Sequence, residues 1–506
     1  MNTDMVKVRL EPLSVEVFLP RGAELIGSLA EHGVEFPCGG TGVCGGCSVR
    51  VLAGSLAINL ADREVFSSAE IESGWRLACQ ARAQEGLVLH CEQWQMHVLA
   101  DGSATVAHGK HGLGIAIDLG TTTIAAQMVD LKDGTVLSVE TELNPQARFG
   151  SDVMSRIQAA LDGRDLTGMV RSALGAMVAR LARGREVEVV DVLLVGNTVM
   201  HHLFAGCDVG PLSHVPFASP NLGTQSFAPD ELGWMLPAGC RIRFAPCLGG
   251  FVGSDILAGI VATGMAGSDE LVALVDLGTN GEIAIGDRNR IVCASTAAGP
   301  AFEAGAIRMG MRAVTGAISH VAQVGDELRS TVIGDVEPRG ICGSGLVDAV
   351  AAGLRNGAIL PSGRIADGAK VYRVAGPVVL YQSDIRELQL AKGAIAAGFR
   401  ILLRKLGAQM GAIRKVYLAG AFGNYVQIES AIRIGLIEAP RAVIHAAGNT
   451  ALRGAKNLLA TEEPRLPIFE HISLAANPRF QDEFVDCIGF PAHDLTDSIS
   501  FPGPAA

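Results

Sequence analysis

The run Ile117-Asp118-Leu119-Gly120-Thr121-Thr122-Thr123-Ile124 returns 158 positions later as Val275-Asp276-Leu277-Gly278-Thr279-Asn280-Gly281-Glu282. In each copy an apolar run leads into the Asp (Gly114 to Ile117; Leu271 to Val275), and an apolar strand leaves the turn (Ile124 to Val129; Ile283 to Ile285). A polar turn, Asp133-Gly134 or Asp287-Arg288-Asn289, then opens a third strand. Two such hairpins at a long offset predict an internally duplicated α/β body with two like halves. The turns also carry a chemistry. Glycine admits phosphate oxygens close to the backbone, amides and hydroxyls donate to them, and a carboxylate at the strand end holds Mg2+ through its water shell. Gly120, Thr121, Thr122 and Thr123 in one copy, and Gly278, Thr279 and Asn280 in the other, are the candidate phosphate-binding residues, two facing turns clamping a triphosphate. Asp118 and Asp276 are the candidate catalytic carboxylates, holding Mg2+. A third segment, Lys415 to Asn424, is an apolar strand running into small residues. Gly420, Ala421 and Gly423 there are candidates to lie against a nucleoside, an ordinary strand-to-helix turn being the other reading.

The cysteines set the first part of the chain apart. Cys38, Cys44 and Cys47 fall within ten residues, in Cys38-Gly39-Gly40-Thr41-Gly42-Val43-Cys44-Gly45-Gly46-Cys47, and Cys79 follows after 31 more. Glycines let backbone amides turn toward sulfur, so a C-x5-C-x2-C loop with one distant Cys suits a small iron–sulfur cluster. Zinc more often takes two CxxC pairs or histidines, so a [2Fe–2S] cluster is favoured, with Cys38, Cys44, Cys47 and Cys79 as ligands. Cys91, at a strand end, reads as structural, and the other six of the eleven cysteines read as small core residues. Val6 to Leu10 and Val15 to Leu19 alternate as a hairpin, Ala23 to His32 has helical spacing ended by Gly33, and Ser48 to Leu52 and Leu87 to Cys91 supply further strands.

Composition excludes several classes. A chain of 506 residues with 49% hydrophobic positions has the length for two to four domains. Net charge is −11 with no basic run, which argues against nucleic acid or an anionic membrane as partner. No apolar stretch approaches the ~18–20 residues of a membrane span, and Met1 to Pro12 lacks the apolar core of a secretory leader, so a cytoplasmic protein is expected. The expected organisation is an iron–sulfur domain at 1–92, a flexible linker at 93–112, and a two-lobed body at 113–506 with lobes near 113–270 and 271–490. About 20 flexible residues span roughly 25 Å, which lets the iron–sulfur head swing rather than dock permanently.

Strand pair, helix, cysteine loop and strand resemble the plant- and adrenodoxin-type ferredoxins, a β-grasp domain; the five-residue first spacing matches the adrenodoxin-like variant. The body's three segments resemble the phosphate-1, phosphate-2 and adenosine motifs of the acetate and sugar kinase, Hsp70 and actin superfamily, a duplicated ribonuclease-H-like α/β fold that closes on ATP. Candidate interlobe helices begin in Gly249 to Asp255 and in Ile341 to Asp348. A ferredoxin ahead of such an ATPase resembles the reductive activators of corrinoid proteins. Asn144 to Val153, Val195 to His201, Gly299 to Glu303 and Gly448 to Leu452 carry that resemblance further. Two departures stand out: some members have an extra middle domain, for which this chain has no room, and others bind [4Fe–4S] clusters through C-terminal cysteines, where only Cys487 lies here.

The resemblance implies an ATP-hydrolysing oxidoreductase with a [2Fe–2S] cluster, ATP and Mg2+, in which Asp276 or Glu303 would orient the attacking water. It would return an electron to cob(II)alamin of a corrinoid protein or cobalamin-dependent methyltransferase, restoring cob(I)alamin; it also suggests a homodimer, and leaves the upstream donor unnamed. A plant-type cluster lies near ~ −400 mV, and each ~59 mV of shortfall costs about 1.4 kcal/mol for one electron, which is the reason for ATP. Two alternatives remain: an ATP-dependent activator of another low-potential enzyme, and an ATP-switched chaperone-like binding module. His201 and His202, neighbours on one helix, read as structural rather than as cobalt contacts.

Overall fold

A computed structural model describes residues 4–11, 15–31, 34, 40, 42, 47–91, 107–150, 152–278, 280–325, 327–423, 425–459 and 466–492. Strict alternation builds the head. On β1 (Met5–Glu11) Val6, Val8 and Leu10 are buried while Met5, Lys7 and Arg9 face water. β1 pairs antiparallel with β2 (Val15–Pro20) and parallel with β5 (Leu87–Cys91). β3 (Ser48–Ala53) and β4 (Trp75–Leu77) complete a sheet of order β2-β1-β5-β3-β4, and the helix Leu25–Glu31 contributes buried Leu25 and Leu29 to the same core. This is the β-grasp arrangement expected. Two short helices, Leu60–Val65 and Ser68–Glu72, were not expected; each is closed by a capping box, Asn59 with Asp62 and Ser67 with Glu70.

The body is two six-stranded sheets of like topology. In the first, β6 (Leu113–Leu119), β7 (Thr123–Asp130) and β8 (Val136–Leu143) form an antiparallel meander, β9 (Val189–Val195) lies parallel to β6, and β10 (Gln225–Phe227) and β11 (Arg241–Phe244) extend it to the order β10-β11-β9-β6-β7-β8. In the second, β12 (Leu271–Leu277), β13 (Gly281–Gly286) and β14 (Arg290–Thr296) repeat the meander. Between them and the chain end run β15 (Ala317–Val324), β16 (Glu327–Val332) and β17 (Gly340–Ile341) in a small sheet, and the hairpin β18 (Val371–Ala375) and β19 (Val378–Tyr381). β20 (Ile413–Ala419) lies parallel to β12, as β9 does to β6, and β21 (Ile444–Gly448) and β22 (Ile468–His471) finish the order β21-β20-β12-β13-β14-β22. The duplication read from the two Asp turns is thus a duplication of whole sheets.

The two halves exchange helices. The helix Ser254–Thr263, from the first half, lays Ile256 and Ile260 on Val272 and Leu274 of the second sheet. The helix Thr450–Leu458, from the second half, lays Ala451, Leu452 and Ala455 on Ala116, Ala125 and Leu193 of the first. They cross at small residues: a Cβ on Gly454 would lie 2.7 Å from the Ala258 Cα and nearer still to its carbonyl, and one on Gly259 would lie 3.2 Å from Thr450 Oγ1. The expectation of interlobe helices is therefore half corrected. The helix after Gly249 to Gly253 is one, but its partner is Thr450–Leu458. The helix Gly343–Arg355 is buried within the second half, where its start presses on the Phe302 and Ile318 carbonyls.

The head is docked. Its helix Leu25–Glu31 packs on the turn Pro145–Phe149 of the first half. The Arg339 guanidinium of the second half lies 3.5 Å over the Trp75 ring, with Nε 3.7 Å from the Glu70 carboxylate. The structure thus holds the head in one docked pose. Of the expected linker, residues 93–106 lie outside the described residues, and its end is tied down: the His108 ring Nε2 donates to the Lys456 carbonyl at 3.0 Å. Among the described residues no helix is long and apolar enough to cross a membrane.

Candidate nucleotide cleft and iron–sulfur site

The first Asp turn is held by three segments far apart in sequence. Gly120 N donates to the Thr123 carbonyl (3.1 Å), and a Cβ on Gly120 would stand 2.5 Å from that oxygen, so only glycine closes the turn. Asn144 Nδ2 donates to the Gly120 carbonyl (2.9 Å), Asn144 N donates to the Thr122 carbonyl (2.8 Å), and Asn197 Nδ2 donates to Thr121 Oγ1 (2.8 Å). In the second turn Gly278 N donates to the Asn280 carbonyl (3.1 Å); Thr279 lies outside the described residues. Gly420, at φ +84°, begins a helical turn Gly420–Gly423 that includes Ala421, and a Cβ there would lie 2.5 Å from Asp276 Oδ1. Gly423 abuts the Leu418 backbone. The adenosine-type segment therefore meets the second Asp directly.

Asp118 and Asp276 are joined by two carboxylates that were not singled out. Asp255 opens the helix Ser254–Thr263, whose start is fixed by Ser254 N donating to the Gly196 carbonyl (2.9 Å). Glu282 sits opposite Asp276 across the β12–β13 pair and accepts a hydrogen bond from Ser295 Oγ (3.1 Å). Burial and then mutual repulsion push these acids up, Asp276 to about 7, Asp255 to about 8 and Glu282 well above the carboxylate range. Asp118 rises to about 6 by burial, opposed by the Asn449 side-chain amide, which donates to its Oδ2 at 2.9 Å. Among the described residues no three acids, histidines or cysteines are arranged to hold a metal ion directly, so these carboxylates fit a hydrated Mg2+ held through its water shell. Glu303, the alternative for orienting water, is exposed at the end of the turn Pro300–Glu303, and its charge is felt by buried Arg156 of the first half.

In the head, Cys47 and Cys79 are buried and adjoining, since Ala78 N donates to the Cys47 carbonyl (3.1 Å). Gln80 Nε2 bonds both the Cys79 sulfur (3.6 Å) and the Gly40 carbonyl (2.8 Å), and Gly40 and Gly42 have φ of +86° and +82°. Asp62, fully buried, holds the approach to Cys79 by accepting from Leu77 N (2.8 Å). Cys38 and Cys44 lie outside the described residues. Two buried thiols, left-handed glycines and a donor aimed at sulfur fit a cluster site. Cys91 is buried in β5 with its thiol pushed up to about 12, as suits a structural residue.

His201 and His202 are buried in the helix Thr198–Ala205; His201 Nε2 bonds the Gly223 carbonyl (3.1 Å) and His202 Nε2 bonds Ser219 Oγ (2.7 Å). Burial pushes both below the usual histidine range, His201 to about 4, so they are neutral, structural groups. Asn144, Asn197, Asp255, Glu282 and Asn449 had no role assigned from sequence. The signal for Glu282 was the break in the repeat, an acid where the first copy has Ile124.

Comparison with known proteins bears on the whole chain. The 2Fe-2S iron-sulfur cluster binding domain family matches residues 8–84, the RACo middle region matches 113–268, and the C-terminal ASKHA domain of RACo matches 270–500. The expectation that no middle domain fits is thereby corrected: the first half of the duplicated body is the stretch that matches it. The corrinoid activation enzyme RamQ of Eubacterium limosum is 32% identical over 443 residues, 77% of this chain and 73% of that one. A [Co(II) methylated amine-specific corrinoid protein] reductase of Methanosarcina barkeri is 29% identical over 398 residues, 70% of this chain and 71% of that one. A solved reductive activator for a corrinoid, iron-sulfur protein superposes with TM-score 0.66 at 26% identity, covering 98% of this chain and all of its own. Ferredoxin head, duplicated body and these likenesses agree, and the chain belongs to the family of corrinoid activation enzymes.

Proposed function

We propose that this chain is an ATP-dependent reductive activator that returns one electron to the cob(II) state of a corrinoid protein or cobalamin-dependent methyltransferase, restoring cob(I). The observation that carries this reading is the junction of a ferredoxin head with a duplicated cleft in one chain, the head resting on both halves of the cleft. The [2Fe–2S] group held by Cys38, Cys44, Cys47 and Cys79 supplies single electrons at low potential. The chain's own residues supply the rest. Gly120 to Thr123 and Gly278 to Asn280 would receive phosphates, Asp118, Asp255, Asp276 and Glu282 would hold a hydrated Mg2+, and Gly420 to Gly423 would back the nucleoside. ATP drives the transfer only through a difference in affinity between two states of the complex. A cytoplasmic location and work as a homodimer belong to this reading.

The test mixes anaerobically reconstituted protein, a low-potential reductant, Mg-ATP and a corrinoid methyl carrier, and follows the cob(II) absorbance. ATP-dependent loss of that absorbance, abolished by Cys79→Ser with ATP turnover retained, is the expected result. Equal reduction without ATP, or by the Cys79→Ser protein, refutes it.

A further inference from the structure

The two ends of the Asn449 side chain are committed to different halves of the body. Asn449 stands between β21 and the helix Thr450–Leu458. Its Oδ1 accepts from Leu452 N (2.8 Å), which caps that helix, and its Nδ2 donates to Asp118 Oδ2 (2.9 Å), 331 residues away in sequence. An amide does both at once. Serine or aspartate in its place still caps the helix, but serine is too short to reach Asp118 and a carboxylate has no proton to donate.

Asp118 needs such an anchor because Asp255 and Asp276, from two other elements, face it with like charge. Pinned through Oδ2, it keeps Oδ1 for the cleft. The anchor in turn rides on the helix crossing: five residues on, Gly454 lies against the Ala258 backbone, and Ala451 and Leu452 lie on the first sheet. We propose that Asn449 is a positioning residue of the ATP reaction, fixing the Asp118 carboxylate from the opposite half of the body and tying its placement to the crossing of the exchanged helices. The proposal rests on the reading of the cleft as an ATP site.

The test compares full-length, cluster-loaded wild type with Asn449→Ser, Asn449→Asp and Asn449→Ala. Serine preserves the cap, so the nucleotide-free Tm of Asn449→Ser falls only by the lost Asp118 bond, whereas alanine loses cap and bond together and falls further. Because Asn449 lies behind Asp118 rather than in either phosphate turn, KM for ATP and the Kd of Mg-ADP by titration stay within about threefold. The turnover number falls about 10- to 100-fold in Asn449→Ser, the size of one lost hydrogen bond to a charged group, and further in Asn449→Asp, where a third acid faces Asp118. Wild-type turnover in Asn449→Ser overturns the proposal and leaves Asn449 a helix cap alone. A loss of the same size carried by KM with unchanged turnover overturns it as well, placing Asn449 in binding. A wild type that neither binds nor hydrolyses ATP overturns the reading of the cleft and this proposal with it, and shows itself before any variant is compared.

Discussion

Gly454→Ala separates the two assignments of the second interlobe helix. The added methyl would stand 2.7 Å from the Ala258 Cα and closer to its carbonyl, where carbon atoms otherwise keep about 3.5–4.0 Å, so the helices must part by about 1 Å. Both sides of that contact are backbone and neither can rotate away, which takes the strain to the upper end of the overpacking range, about 3 kcal/mol. Alanine returns about 1 kcal/mol of helix propensity, leaving a net loss near 2 kcal/mol. At about 2–4 °C per kcal/mol for a unit of 150–250 residues, Tm falls by about 4–8 °C. The parting also shifts Asn449, five residues earlier, so ATP turnover falls with it. Gly353→Ala in the buried helix Gly343–Arg355 is the control. Its methyl meets buried Ile359 at Cδ1 (2.6 Å), Cγ1 (2.8 Å) and Cβ (3.3 Å), so Tm falls there too, but no interlobe crossing moves and ATP turnover stays near wild type. Differential scanning calorimetry and a phosphate-release assay on both variants give the answer. Gly454→Ala with unchanged Tm and turnover, or Gly353→Ala matching its loss of turnover, refutes the helix exchange as the functional crossing.

Two further outcomes are expected. Arg339→Ala removes the guanidinium from over Trp75 and frees the head, so small-angle scattering shows a radius of gyration above the ~23 Å of a compact chain of this length, while an unchanged radius assigns the docking to the Pro145–Phe149 face alone. The cleft carboxyls set the pH dependence: Asp118, Asp276 and Asp255 titrate near 4 when unfolded but at about 6, 7 and 8 when folded, so between these limits the native state holds more protons than the unfolded chain. Their contribution is therefore full below pH ~4 and is lost as pH rises toward 8. The Tm of the nucleotide-free protein falls over this range, the fall is smaller in Asp276→Asn, and Mg-ADP flattens it by supplying countercharge; a slope identical in Asp276→Asn and wild type contradicts the assignment.

Local chemistry was legible where one segment carries it. The β1–β2 hairpin follows from alternation, and the turn at Gly120 follows from a glycine that nothing else can replace. Cys38, Cys44 and Cys47 were read as ligands because thiols among glycines have few other uses, with Cys79 as the distant fourth, and the Ala78 N bond to the Cys47 carbonyl brings the last two segments side by side. The helices Leu60–Val65 and Ser68–Glu72 escaped because five or six residues are too short to show an apolar period, although their Asn-x-x-Asp and Ser-x-x-Glu boxes were there to read. The second interlobe helix was misplaced for a related reason. Glycines at a helix start, as in Gly343 to Gly345, mark a tight entry. A crossing needs small residues along one face of the helix body, and Ala451, Gly454 and Ala455 have that spacing.

What no segment could show is convergence. Asp118 ends a strand, Asp255 opens a helix, Asp276 and Glu282 face each other across a hairpin, and Asn449 caps a helix near the chain's end; each taken alone has a sufficient local explanation. They meet because duplicated meanders place both Asp turns at equivalent strand ends, and because each half sends a helix to cover the other's sheet. The exchange brings Asp255 to the second Asp and Asn449 to the first. The cleft is therefore shared by construction: neither half holds a complete set of groups, and any rotation of one half against the other moves Asp255 and Asn449 relative to the carboxylates they serve. A duplicated fold with exchanged helices thus couples chemistry at the nucleotide to the angle between its halves, and the docked head, touching both halves through Pro145–Phe149 and Arg339, is placed to feel that angle.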